Sequence, residues 1–193
     1  MSSNIVNFYN VYLNYFSSDN PSSVGWTDRH NQHIRFNKLF HIGIRNNDSV
    51  LDYGCGLGHL NEYMSENGFE DISYTGIDIN PNYVEKAKTM YPEKVFKVGG
   101  NEMILGDDVY DYVIGSGVFT VGVTMDYIYQ TIKRSYDASI KGVAFNFLKK
   151  ESGLSPLLTY NISDIIDLLS DIGDIEVVED YLGDEDFTIY IKK

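Results

Sequence analysis

Residues 50–60 read Val-Leu-Asp-Tyr-Gly-Cys-Gly-Leu-Gly-His-Leu. A short apolar run that stops at alternating glycines and passes into a helical pattern is a strand–turn–helix junction. Gly54, Gly56 and Gly58 let the chain turn sharply and leave room for a ligand beside the backbone. The same alternation continues downstream. Strands are expected at residues 49–53, 72–79, 94–98, 110–116 and 142–148. Helices are expected at 59–67, at 82–91 between Pro81 and Pro92, at 125–138, and at 161–172 with Ser163 as cap. Residues 101–105 fit only a short helix. Two last β-rich runs, 175–182 and 187–192, meet through Gly183-Asp184-Glu185-Asp186, a hairpin signal.

Strands separated by helices make a parallel sheet with helices on both faces. The final strand follows its neighbour without a helix and must run antiparallel. The expected fold class is therefore α/β: a Rossmann-like, doubly wound, seven-stranded sheet, mostly parallel with an antiparallel last strand. The expected organisation is one domain over 1–193. Residues 1–47 form an N-terminal helical lid across the ligand edge, and 48–193 form the core.

The chain of 193 residues carries 15 basic against 28 acidic side chains, a formal charge of −13. A nucleic-acid binder needs Lys and Arg to displace counterions, so this balance argues against one. From 151 to 191 there are eleven acids and no Lys or Arg, so the acidity belongs to the C-terminal part. It reads either as a solvated face or as a preference for a cationic acceptor. The single cysteine, Cys55, forbids an internal disulfide and suits a reducing compartment. The N-terminus lacks the basic head and apolar block of a signal peptide, and no apolar run approaches the ~18 residues of a membrane span. The expectation is a soluble, cytoplasmic chain with no membrane or nucleic-acid partner.

Three details sharpen the glycine loop. Its spacing is G-x-G-x-G, and His59 stands where a dinucleotide fingerprint needs glycine. Asp52 lies two residues before the first glycine. Asp78 closes the second strand in Gly76-Ile77-Asp78-Ile79, where a carboxylate can accept both hydroxyls of a ribose. VLDYGCGLGHL, TGIDINPNYVEKAK and DYVIGSGVF together resemble motifs I, II and IV of the class I S-adenosylmethionine (SAM)-dependent methyltransferases. The resemblance runs from Asp48 to the end of the chain.

It implies a cofactor, SAM, and a set of positions for it. Gly54 and Gly56 would pass along the methionine part, with Gly58 completing the loop. Asp52 would order the loop and reach the ammonium. Asp78 would hold the ribose hydroxyls, and Ile79 would pack on the adenine. Asn101 or Glu102 would face the adenine amino group, although the family more often has Asp in that loop. Ser116 and Gly117, with Val118, would lie beside the sulfonium. Some small-molecule methyltransferases use a Trp…Gln…Arg segment as a lid. Here that is Trp26, Gln32 and Arg35, and Arg35 would hold the SAM carboxylate; the other reading is an ordinary surface helix.

Cys55, inside the loop, reads as a small space-filling residue in the cofactor-binding turn and not as a nucleophile. The position after the fourth strand has neither the attacking cysteine of cytosine-C5 enzymes nor the Asn/Asp-Pro-Pro-Tyr loop that grips a flipped base. His30 and His33 share a helical face but lack a third metal ligand at useful spacing, so no metal site is expected. Tyr9, Tyr12, Tyr15 and Phe16 form an aromatic stripe, either a packing face against the sheet or a gate over the cofactor. No residue is singled out as catalytic, because displacement at a sulfonium needs alignment and dryness more than a base. Acceptor walls are expected from the lid, from 116–123 (with the pocket beside Ser116 and Phe119), from 149–160 and from 183–186. The expected function is methyl transfer to a small-molecule acceptor. The alternatives are a non-catalytic SAM-binding subunit or sensor for a protein partner, and SAM chemistry other than methylation.

Overall fold

The computed structural model describes residues 2–105, 109–150, 157–183 and 185–193. Seven strands form one sheet in the order β3-β2-β1-β4-β5-β7-β6. They are β1 (Ser49–Tyr53), β2 (Ser73–Asp78), β3 (Val95–Val98), β4 (Tyr110–Gly115), β5 (Ser139–Leu148), β6 (Ile175–Val178) and β7 (Asp186–Lys192). β1 to β5 pair in parallel, and β7 inserts antiparallel between β5 and β6. The strand order reverses between β1 and β4, which opens a crevice at their carboxyl ends.

The helices are α1 (Ser2–Tyr15), α2 (Arg29–Phe40), α3 (Leu60–Glu66), α4 (Pro81–Met90), α5 (Met125–Asp137) and α6 (Ile162–Leu169). Short 3-10 turns span Pro21–Val24 and Asn101–Leu105. Side chains alternate across each strand, and both sheet faces are covered. Val50, Ile114 and Ala144 face one layer, filled by Phe36, Leu39 and Phe40 of α2, Tyr63 and Met64 of α3 and Val84 of α4. Leu51, Val113 and Val143 face the other, filled by Ile128 and Ile132 of α5 and Ile165 and Leu169 of α6.

The N-terminal segment both borders the cavity and packs into the core. α2 is part of the first core layer, because Phe36, Leu39 and Phe40 recur at helical spacing and are buried against the sheet. α1, the turn after it, Trp26, and Gln32 and Phe36 of α2 border the cavity at the carboxyl edge. The aromatic stripe of α1 divides: Tyr9 turns inward, whereas Tyr15 and Phe16 are exposed. Ser163 is not the cap of α6. Asn161, extended before the helix, takes that place and donates from Nδ2 to Asp164 Oδ2 at 2.8 Å. β6 stops at Val178, four residues short of the expected strand, and the last hairpin has a longer connection.

Phe147 on β5 stacks between Phe119 and Phe187, each 5.2 Å away by ring centroid. Phe147→Ala should lower unfolding free energy in urea by about 3–5 kcal/mol, the range for emptying a packed aromatic site. A loss under 1 kcal/mol would show that this stack does not hold the β5–β7 junction.

Candidate functional site

The β1–α3 junction turns back across the end of β2. Ile77 O accepts both the Gly54 N–H (2.7 Å) and the Cys55 N–H (3.0 Å). Gly54 and Gly56 lie at φ +75° and +54°, where a side chain is strained. A Cβ at Gly54 would also overlap Val118, and one at Gly56 would meet Val24 at 3.0 Å. The loop is thus a bare backbone surface roofed by one residue from the β4 loop and one from the N-terminal segment.

Asp78 closes the far side. Its Oδ2 accepts the Gly56 N–H at 2.9 Å and its Oδ1 the Asn80 N–H at 2.8 Å. Burial pushes its carboxyl up to about 6, against the pull of those two donors. Asp52, at the end of β1, accepts the Tyr74 O–H at 2.9 Å, and burial pushes it to about 7. Cys55 is a packed thiol. Its sulfur lies where a Cβ on Gly76 would meet it at 2.8 Å, and burial, with Asp78 and Asp52 nearby, raises its pKa. It is therefore a neutral filler and no nucleophile.

These groups line a cavity at the carboxyl edge of the sheet, with about 120 Å³ of free interior volume behind an open mouth. The lining brings together Asp52, Gly54, Cys55, Gly56, Asp78, Ile79, Ser116, Gly117 and Trp26 of the expected residues. Ile5, Val6 and Tyr9 of α1 line one side, so Tyr9 is the member of the aromatic stripe that reaches the cavity. The Tyr83 hydroxyl, 3.0 Å from Tyr9 O and 2.7 Å from Ser23 O, ties α1 and the following turn to α4. Tyr9 also meets Thr120 Oγ1 at 3.2 Å. Behind the β4 loop, buried Asn146 accepts the Gly117 N–H at 2.8 Å and donates to Ser116 Oγ at 3.2 Å. Among the described residues, no lysine or arginine lines the cavity.

Four expected residues lie elsewhere. Gly58 packs against Phe96 and Tyr91, where it brings α3 close to the sheet. Asn101 Oδ1 accepts from Tyr53 O–H (2.7 Å) and Thr131 O–H (2.8 Å), so it braces α5. Glu102 folds back to accept the Gly100 N–H at 2.8 Å. Arg35 is buried in a two-pronged pair with Asp186, through Nε–Oδ1 at 3.0 Å and Nη2–Oδ2, and its guanidinium lies 4.7 Å from the Trp26 ring centre. Trp26 in turn sits over Gly117, where a Cβ would come within 2.8 Å of the indole.

That pair also corrects the acidic hairpin. Asp186 is buried and neutralised by Arg35, and Glu176 and Glu179 meet Lys192 and Lys149, each at 2.8 Å. Asp184 and residues 151–156 of the expected acceptor walls lie outside the described residues. Phe119, also expected at the acceptor side, is buried in the core stack. His33 meets Glu66 at 3.5 Å, and neither it nor His30 lines the cavity. His59, Tyr53, Tyr83 and Tyr127 do line it and were not foreseen as site residues. The only signal for His59 was its place in the loop where a dinucleotide fingerprint has glycine.

Two outcomes follow from this chemistry. Folding raises the pKa of Asp52 and Asp78, so their contribution is full below the unfolded value near 4 and is lost as pH rises through about 6 and 7. Denaturation midpoints of the ligand-free protein should fall between about pH 4 and 7, and Asp52→Asn should flatten the fall; a slope unchanged in that variant contradicts the assignment. Asp186→Ala leaves Arg35 buried without its partner and should cost about 3–5 kcal/mol in unfolding free energy. A variant as stable as the parent would return Asp186 to the solvent.

A family model described as "Methyltransferase domain" matches residues 44–155. The Mycobacterium tuberculosis (strain H37Rv) protein named "Putative methyltransferase Rv1506c" is 31% identical over 118 residues, 56% of this chain and 68% of its own length. Magnesium protoporphyrin IX methyltransferase from Synechocystis PCC 6803, solved with bound SAM, superposes with TM-score 0.63 at 18% identity, over 85% of this chain and 79% of that one. A TehB-like SAM-dependent methyltransferase from Corynebacterium glutamicum superposes with TM-score 0.63 at 16% identity, over 100% and 98%. With more than half of its length under the family model, and with the sheet order and glycine loop described above, the chain belongs to the methyltransferase domain family.

Proposed function

We propose that the protein is a SAM-dependent methyltransferase acting on a small-molecule acceptor. The observation that carries this reading is the cavity rim formed by Asp78 and the bare Gly54–Gly56 backbone. Each Asp78 oxygen uses one lone pair on a backbone N–H and retains another for a ligand hydroxyl. The residues present fit the cofactor: a cradle that a Cβ would fill, a carboxylate at each end, and no basic side chain among the described lining residues to repel a cation.

SAM supplies a methyl group already activated on a sulfonium. In this reading Asp78 holds the ribose hydroxyls and Ile79 flanks the adenine. The glycine loop carries the methionine part, and Ser116–Gly117 border the reacting centre. Trp26, clamped between Arg35 and Gly117, excludes water and fixes the wall against which the acceptor aligns. Arg35 and Asp186 act by positioning that indole.

The acceptor is read as small because α1, Val24 and Trp26 roof the cavity. Uncharged or cationic acceptors suit walls of Tyr9, Trp26, Phe36 and Tyr127 with acids below them. The reduced, buried Cys55 accords with a cytoplasmic setting. Among the described residues no helix is long and apolar enough to cross a membrane.

Calorimetric titration with SAM and with S-adenosylhomocysteine should show binding, and Asp78→Ala should weaken it by about 1–3 kcal/mol, the cost of unpaired buried hydroxyls. Incubation with a metabolite extract and methyl-labelled SAM should yield S-adenosylhomocysteine and a labelled small molecule by mass spectrometry. Methylthioadenosine as the spent product would contradict methyl transfer, and absence of binding would contradict the cofactor assignment.

A further inference from the structure

Tyr9, on α1, lines the cavity and is held at both ends. The Tyr83 hydroxyl lies 3.0 Å from its backbone carbonyl, and its own hydroxyl meets Thr120 Oγ1 at 3.2 Å. The neighbouring bonds fix the direction of that second contact. Thr120 Oγ1 has a single proton and gives it to Gly117 O at 3.0 Å. It therefore receives the Tyr9 proton and cannot supply one. Gly117 is pinned from behind by Asn146, which accepts its N–H at 2.8 Å. Donation thus runs from Tyr9 to Thr120 to Gly117 and ends on a carbonyl. Tyr9 Oη keeps lone pairs that no donor among the described residues fills.

The same bonds place this oxygen. It lies two hydrogen bonds from the Gly117 carbonyl, at the loop that follows β4. Val118, Val123 and the Trp26 indole, which sits over Gly117, give that side of the cavity apolar walls. Burial raises the pKa of Tyr9, so the phenol stays protonated at neutral pH and keeps its bond to Thr120. A neutral phenol oxygen accepts a hydrogen bond but does not take a proton. That distinction selects the nucleophile. A hydroxyl or thiol that donates to Tyr9 stays protonated and reacts poorly. A neutral amine donates its N–H and still presents its lone pair.

We propose that Tyr9 Oη recognises the methyl acceptor by accepting an N–H from a neutral primary or secondary amine, and that Thr120 positions Tyr9 for it. This rests on the methyltransferase reading above and names its acceptor class. With its N–H on Tyr9, the nitrogen faces the Ser116–Gly117 turn. Its lone pair forms the new N–C bond while the methyl–sulfur bond breaks and leaves its electron pair on sulfur. The methylated nitrogen is cationic and gives its proton to water after release.

The test compares aniline, which carries N–H, with N,N-dimethylaniline, which does not; both are neutral at neutral pH. Calorimetric titration of protein saturated with S-adenosylhomocysteine should show aniline binding. Tyr9→Phe should weaken aniline roughly fivefold and leave N,N-dimethylaniline within about twofold, as expected for loss of one hydrogen bond. Thr120→Val, which leaves the phenol in place but frees its proton, should show a smaller loss of the same selectivity and serves if Tyr9→Phe does not fold. With methyl-labelled SAM the label should appear on aniline and not on phenol. Equal weakening of both amines would make Tyr9 a structural brace and overturn the proposal, as would no change in either or label on phenol alone. A parent protein that binds S-adenosylhomocysteine but not aniline would overturn the amine assignment alone. One that does not bind S-adenosylhomocysteine would overturn the cofactor reading, and this assignment with it.

Discussion

The Asp78 carboxylate accepts the N–H of Gly56 and the N–H of Asn80, and through those two bonds the ends of β1 and β2 become one rim. Much else at the carboxyl edge is arranged around that rim. The loop lies flat because Gly54 and Gly56 carry no Cβ, and its flatness lets Val118 and Val24 close over it. Val24 belongs to a turn held by Tyr83, whose hydroxyl also holds α1. A buried carboxylate is costly unless its oxygens are satisfied, and here backbone donors satisfy half of its capacity. The unfilled half is what a ligand hydroxyl would complete.

A second chain of contacts runs from the opposite side. Asp186 at the start of β7 holds Arg35, Arg35 faces Trp26, and Trp26 lies on Gly117. The antiparallel last strand, remote in sequence, thereby sets the position of an indole at the cavity wall. It also explains why α2 is built into the core layer: a helix that carries a buried guanidinium must be fixed if the ring in front of it is to be fixed.

The strand–helix alternation, the antiparallel last strand and the glycine loop were legible in the sequence because each rests on local pattern. Hydrophobic period gives the element, and glycine spacing gives the turn. Asp52, Asp78, Ile79, Ser116 and Gly117 were legible as cavity residues because they sit at fixed offsets from strand ends. What sequence could not show is pairing in space. The run of eleven acids looked like an unbalanced C-terminal field, yet three of its members meet Arg35, Lys149 and Lys192 from distant segments or the chain end. Asn101 was expected at a ligand because of its loop, but two hydroxyls from β1 and α5 claim its oxygen. Gln32 and His59, 27 residues apart, form a single unit that no spacing rule links.

The most direct measurement of the central claim is a crystal structure of the protein soaked with S-adenosylhomocysteine. The account predicts the ribose hydroxyls on Asp78, the homocysteine tail along Gly54–Gly56, and the sulfur beside Ser116 and Gly117 under Trp26. A ligand bound elsewhere, or lying in the cavity with its ribose away from Asp78, would contradict it.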